Sequence, residues 1–306
     1  MIDLFAANEG VIAGALVFAL LAYSLQVALR AGVFSFAGFA AYGIGAYGSG
    51  FLLLEGWNEV GAILVVLVGV ALLGWLFAVL LTRLKSLYLA MATLALVLLV
   101  QSAALAAEPV TGGALGMYGV PPVVDTLTTL VVTAAVLVGV LLTQRGRPGR
   151  RLLALRTDEA LAEAMGIDVR RRQRVAFVWS TVLGGIAGIC QLSLVGVFTP
   201  EDVGFPVIVT TLTVLVLGGT WHWAGPIVGA VLTAFLPFWL AAVGDWRPVV
   251  EALVTVLVVI FLPGGLVSLV QRGGGALRGR GRRSKPPEPV EPAAVTPAEM
   301  RTEAVR

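Results

Sequence analysis

Apolar residues fall in nine long runs along this chain, at 11–29, 31–54, 60–82, 87–107, 123–143, 175–198, 207–219, 227–243 and 249–270. Short polar breaks separate them. Most runs approach or exceed the roughly 18–20 residues that carry a helix across a bilayer. They are continuous rather than alternating, which excludes the strands of a membrane β-barrel. The pattern therefore predicts an all-α, polytopic helical membrane protein with about nine transmembrane segments, within a range of eight to ten. The span count is least determined around 203–243. The run 207–219 is short unless residues 203–206 extend it, and Gly218-Gly219 with Gly225-Pro226 marks a tight bend. That region reads either as two crossings or as a re-entrant hairpin. Pro263 kinks or ends the last run. After residue 271 the apolar pattern stops, and glycine, arginine and proline take over. The predicted organisation is a transmembrane domain over 1–271, with a polar loop at 144–174, and a disordered basic, proline-rich tail over 272–306.

Charge orients the bundle. Counting breaks alternately, one side receives Arg30, Arg83, Lys85, the 144–174 loop with nine arginines, and the basic tail. The other receives Asp3, Glu9, Glu55, Glu59, Glu108, Asp125, Glu201, Asp202 and Asp245, with Arg247 its one cation. Lysine and arginine stay on the cytoplasmic side of short loops, so the expectation is a multi-pass protein of the cytoplasmic (inner) membrane, N-terminus outside and C-terminus inside. The N-terminus lacks the positive charge that opens a secretory signal. Pro200, Glu201 and Asp202 read as an acidic turn on the outer side.

Composition narrows the chemistry. At 58% hydrophobic and 13% charged, the chain has one cysteine, Cys190, and one histidine, His222. No intramolecular disulfide, metal cluster or histidine-based catalysis has raw material, so neither an enzyme nor a cofactor of this chain is expected. Cys190 reads as a small buried hydrophobe. His222 between Trp221 and Trp223 reads as part of an interfacial belt. No ionisable group falls at the middle of a run, where ion-coupled carriers hold theirs, which weighs against such a carrier. Energy is expected to come from another protein. A membrane scaffold using its basic face is the alternative from a different class. The basic segments suit anionic lipid headgroups; nothing accompanies them that would read nucleic acid.

Two stretches carry candidate function. Within 144–174 lies a short helix: Thr157 can cap it, Asp158 and Glu159 occupy its first turn, and Gly166 can close it in the left-handed region. Ala160, Leu161, Ala164 and Met165 share one face, opposite Asp158, Ala162 and Glu163. Two turns are not stable alone in water, so this helix needs a surface to dock on. The second stretch is the glycine-rich run at 31–54. Its glycines read either as close helix packing or as the lining of a central pathway. Polar uncharged residues inside runs, such as Thr93, Gln101 and Gln191, read as inter-helix hydrogen bonds or as a weakly polar route for a small solute.

The stretches AGVFSFAGFAAYGIGAY, SLYLAMATLAL, TGGALGMYGVP, ALRTDEALAEAMGIDVRRRQRVAFVWSTVLGGIAG, LTVLVLGGTWHWAGPIVGA and VLVVIFLPGGLVSLV resemble, in order, the larger permease of branched-chain amino acid ABC importers. The resemblance covers most of 31–270, and the arginine-loop stretch is its most specific part. The chain departs from the family at Thr220-Trp221-His222-Trp223 and at Val33 and Phe36, which bears on substrate more than on family. The resemblance implies a type II ABC importer permease that pairs with a second homologous permease, usually as a heterodimer. Two cytoplasmic ATP-binding subunits hold the ATP and magnesium, and an extracytoplasmic binding protein delivers substrate. It makes residues 156–167, with Arg156, Asp158, Glu159, Ala160, Leu161, Glu163, Ala164, Met165 and Gly166, the helix that couples to an ATPase. It implies a pathway involving Gly38, Tyr42, Gly43, Gly45, Thr93, Thr111, Gly112 and Gly113. Related permeases carry urea, short amides or other amino acids, so those cargoes stand beside leucine, isoleucine and valine.

Overall fold

The apolar runs become helices bounded by the predicted polar breaks. The computed structural model describes residues 9–81, 83, 84, 86–144, 149, 159–240, 244, 246, 249, 250, 253, 255–257, 265 and 266. In chain order the helices are α1 (Glu9–Arg30), α2 (Ala37–Leu54), α3 (Glu59–Leu81), α4 (Ser86–Ala106), the single turn α5 (Glu108–Thr111), α6 (Thr126–Gln144), α7 (Glu159–Ala164), α8 (Val169–Val195), α9 (Phe205–Gly218) and α10 (Gly225–Trp239). Among the described residues, six helices, α1 to α4, α6 and α8, are long and apolar enough to cross a membrane, while α9 and α10 are shorter. A two-residue antiparallel ladder joins β1 (Met117–Tyr118) to β2 (Val197–Phe198), with Met117 opposite Phe198. The bundle belongs to the unit Met1–Val270. The expected tail and most of the expected ninth segment lie outside the described residues.

Two boundaries differ from the pattern, each for a local reason. The second helix starts at Ala37 rather than 31, because Gly32 (φ 75°) ends α1 in the left-handed region. An unbroken apolar run cannot show such a break. The sixth spanning helix starts at Val169 rather than 175. Asp168 caps it, its Oδ1 accepting the Arg171 N–H at 2.9 Å, and the arginines 170–172 and 174 form its first two turns. The last arginines of the polar loop are thus part of a 27-residue helix.

Burial runs opposite to apolarity. The most apolar spanning helix, α3, has 22% of its membrane window buried, whereas the least apolar, α2, has 67%. α1 and α8 are buried to a similar extent, and α4 and α6 resemble α3. In lipid, apolar surface gains nothing by turning inward, so small and polar residues collect at helix contacts and large aliphatics face out. Accordingly α2 and α8 cross at the centre, α1 and α3 flank them, and α10 packs on α1. Leu64, Leu72, Trp75, Leu76 and Leu80 of α3 are exposed.

Candidate functional site

The centre of the bundle is built on glycine. A Cβ on Gly184 would fall on the Gly38 carbonyl oxygen, one on Gly188 on the Tyr42 carbonyl, and one on Gly45 on the Gly185 carbonyl. The α2 and α8 backbones therefore touch over about two turns of α2. Ser24 of α1 joins this seam, donating to the Ser180 carbonyl at 2.9 Å. Gly38 and Gly45 thus lie in a helix contact. Gly43 faces the other way: a Cβ there would meet the Val203 methyls at 2.9 Å and Val100 at 3.0 Å. Tyr42 is buried with its ring edge-on to Phe198, centroids 5.3 Å apart. Thr93 is buried where α4 meets the start of α2, its hydroxyl donating to the Leu89 carbonyl and accepting the Phe36 N–H at 3.0 Å. Thr111 donates to the Ala104 carbonyl, while Gly112 and Gly113 turn the chain with φ of 76° and 59°. The eight expected pathway residues therefore do not form one cluster: Gly38, Tyr42, Gly43 and Gly45 share α2, Thr93 sits at its start, and Thr111 to Gly113 cap the far end of α4.

The segment after α8 departs most from the sequence reading. Gly196 (φ 73°) reverses the chain, which then runs back along the bundle instead of staying at its end. Phe198 packs on Tyr42 and Tyr47, Val203 on Gly43, and Gly204 beside the Gln101 side chain. The turn Pro200–Val203 therefore lies along the bundle rather than at its end. It closes on itself: Asp202 Oδ2 accepts both the Thr199 N–H at 2.8 Å and the Thr199 hydroxyl at 2.9 Å. A carboxylate held this way tolerates depth, because its main hydrogen bonds are internal to the turn. The spacing Thr199…Asp202 before an apolar helix was the available signal. α9 then starts partway along the bundle, which accounts for its 14 residues.

At the opposite end of α9, residues 219–224 lie across α1. Gln26 donates both amide hydrogens, to the Thr220 and His222 carbonyls, each at 2.9 Å. Tyr23 donates to the Trp223 carbonyl at 2.9 Å and Arg30 to the Trp221 carbonyl at 3.0 Å. Burial first, then the Arg30 charge, lowers the His222 pKa below its ordinary value. The neutral ring's Nδ1 accepts the Ala224 N–H at 3.2 Å. α9 and α10 meet through Gly218, Gly225 and Gly229, where a Cβ would strike backbone, and Gly265 reaches the same place against Gly218 and Gly219.

α7 lies at the arginine-bearing end. Ala162 is fully buried in a cluster with Ala28, Ala31, Val33, Ala37, Ala78, Leu89, Val169 and Phe177, where α1, α2, α3, α4 and α8 converge. Glu163, Ala164 and Met165 are exposed, Met165 to 68%. The face opposite Ala160, Leu161, Ala164 and Met165 is therefore mixed, with Ala162 inward and Glu163 outward. Gly166 closes the helix with φ 76°, and the Ile167 N–H returns to the Ala162 carbonyl at 3.1 Å. Arg156, Thr157 and Asp158 lie outside the described residues, as do the side chains of Glu159, Ala160 and Leu161. No group of metal-ligating side chains occurs among the described residues.

A 123-residue stretch is 28% identical to the high-affinity branched-chain amino acid transport system permease protein LivM of Escherichia coli (strain K12), covering 40% of this chain and 29% of that protein. No solved structure matches the chain. Residues 9–263, from the first turn of α1 to beyond α10, match the family described as branched-chain amino acid transport system, permease component. With that match across the whole described bundle, the chain belongs to the branched-chain amino acid permease family.

Proposed function

We propose that this chain is one permease subunit of an ATP-binding cassette importer for branched-chain amino acids. It pairs with a second permease, takes cargo from an extracytoplasmic binding protein, and is driven by two ATP-binding subunits that hold ATP and magnesium on the cytoplasmic side. The observation that carries this reading is α7. A six-residue helix between two spanning helices gains nothing for the bundle by exposing Ala164 and Met165. A partner that covers them gives the element a purpose. Ala162 seats α7 in the cluster where the ends of five spanning helices meet, and the short link 165–168 joins it to α8. A push on α7 then moves α8, and α8 drags α2 through their glycine contact. Aligned motion of these two helices is how nucleotide-driven closure would reach the centre of the bundle.

The test replaces Ala164 and Met165 together with aspartate in the complete importer reconstituted in liposomes. The variant is expected to lose ATP-dependent leucine uptake and co-purification of the ATP-binding subunits, while its unfolding temperature in detergent stays unchanged. Normal uptake by the variant, or wild-type uptake that follows the proton gradient rather than ATP, overturns the reading.

A further inference from the structure

Glu201 is exposed on a turn that lies deep along the bundle. The turn's neighbours fix its depth. Val203 rests on Gly43, twelve residues before Glu55 at the acidic end, and Gly204 on Gln101, seven residues before Glu108. At about 1.5 Å per residue the turn sits roughly 10–18 Å below that end, near the middle of a hydrocarbon core about 30 Å thick. Asp202 is engaged by Thr199. The Glu201 carboxylate, among the described residues, has no hydrogen-bond or ion-pair partner; the residue's backbone carbonyl accepts the Gly204 N–H at 3.1 Å. A free carboxylate facing acyl chains at this depth is strongly disfavoured, so the surface around it is not a lipid surface. Its surroundings agree. Phe205, Val209 and Thr213 follow at four-residue spacing, the first two exposed to 58% and 44%. Gln101 and Thr210 are half-buried beside them. The exposed face of α3 is by contrast wholly apolar over its middle turns. Tyr47, packed on Phe198 above the same turn, keeps a buried hydroxyl that has no hydrogen-bond partner among the described residues.

We propose that Glu201 lines the aqueous route of the solute and receives its N–H donors, either the ammonium of an amino acid or the NH₂ of an amide, with Phe205 and Val209 beside the apolar part. This rests on the reading of the chain as an importer permease.

The experiment uses the complete importer in liposomes, with Cys190, the chain's one cysteine and a buried one, changed to serine. Glu201→Cys should react with a water-soluble, membrane-impermeant thiosulfonate and be protected by binding protein loaded with cargo. Glu201→Gln, nearly isosteric, should lower uptake about tenfold or more, as expected for loss of a charge-assisted hydrogen bond. Labelled leucine and labelled acetamide run in parallel identify which donor the site serves. A Glu201→Cys thiol that reacts only with lipid-soluble maleimide, or full uptake by Glu201→Gln, overturns the proposal. A wild-type importer that moves neither cargo overturns the importer reading instead, whatever the thiol does.

Discussion

Among single residues, glycine does the most to set this structure, but not every glycine does. Gly184 and Gly188 each leave space that the α2 backbone occupies, whereas Gly139 on the exposed side of α6 has nothing within 4 Å of a Cβ position. Gly184→Ala forces a methyl into a carbonyl oxygen, and the crossing must separate; overpacking of this kind costs about 1–3 kcal/mol. Gly139→Ala, by contrast, gains about 1 kcal/mol or less from helix propensity. Thermal unfolding in detergent should therefore move down for the first and stay level or rise for the second. Equal behaviour of the two would mean that α2 and α8 do not touch as described. The glycine-rich pattern of 31–54 announced either packing or a pathway. Both faces of α2 are used: Gly38 and Gly45 against α8, Gly43 against the returning turn.

At the level of elements, the α9–α10 hairpin shows what a linear pattern conveys and what it hides. Its two short apolar runs and paired glycines predicted a tight bend, and the bend is there. Its seat on α1 was invisible, because Gln26 lies 194 residues from Thr220 and a lone glutamine inside an apolar run looks like any inter-helix polar group. Gln26→Leu would take a donor from two carbonyls; that of His222 keeps the Gly225 N–H, while that of Thr220 is left without one among the described residues, at a cost of about 1–3 kcal/mol. Proteolysis within 219–224 should then speed up, by roughly tenfold for each 1.4 kcal/mol if cleavage follows local opening; an unchanged rate would show the loop to be held by other contacts. Spans were legible because bilayer thickness imposes their length. The turn at 200–203 was not, since three polar residues between apolar runs look alike at a surface and at depth. Only the Thr199–Asp202 cap distinguishes them. The short helix in the polar loop was legible from its closing glycine and its periodicity, but the inward role of Ala162 depends on five helix ends that meet only in the fold.

Taken whole, the molecule sorts its surface by helix. α3 presents aliphatic and aromatic side chains outward, while the side chains that could meet water at depth gather where α4, α9 and the returning turn adjoin. In a cysteine-replaced background Leu72→Cys, 63% exposed near the middle of α3, should label with a lipid-soluble maleimide and resist the impermeant reagent. Rapid labelling by the impermeant reagent would place water on that side too, and the division of surfaces would fail. A bundle divided in this way has one flank suited to acyl chains and another that needs cover, which fits a subunit of a transport system better than a protein acting alone.

Gly265 has a bearing on how the chain is made. Its backbone rests on Gly218 and Gly219, so the bend between α9 and α10 is completed by residues synthesised more than forty positions later. While the ribosome is still translating that interval, the bend has an open side. Closure of that side waits on Gly265, and quality-control proteases would meet their best target in chains stalled just short of it.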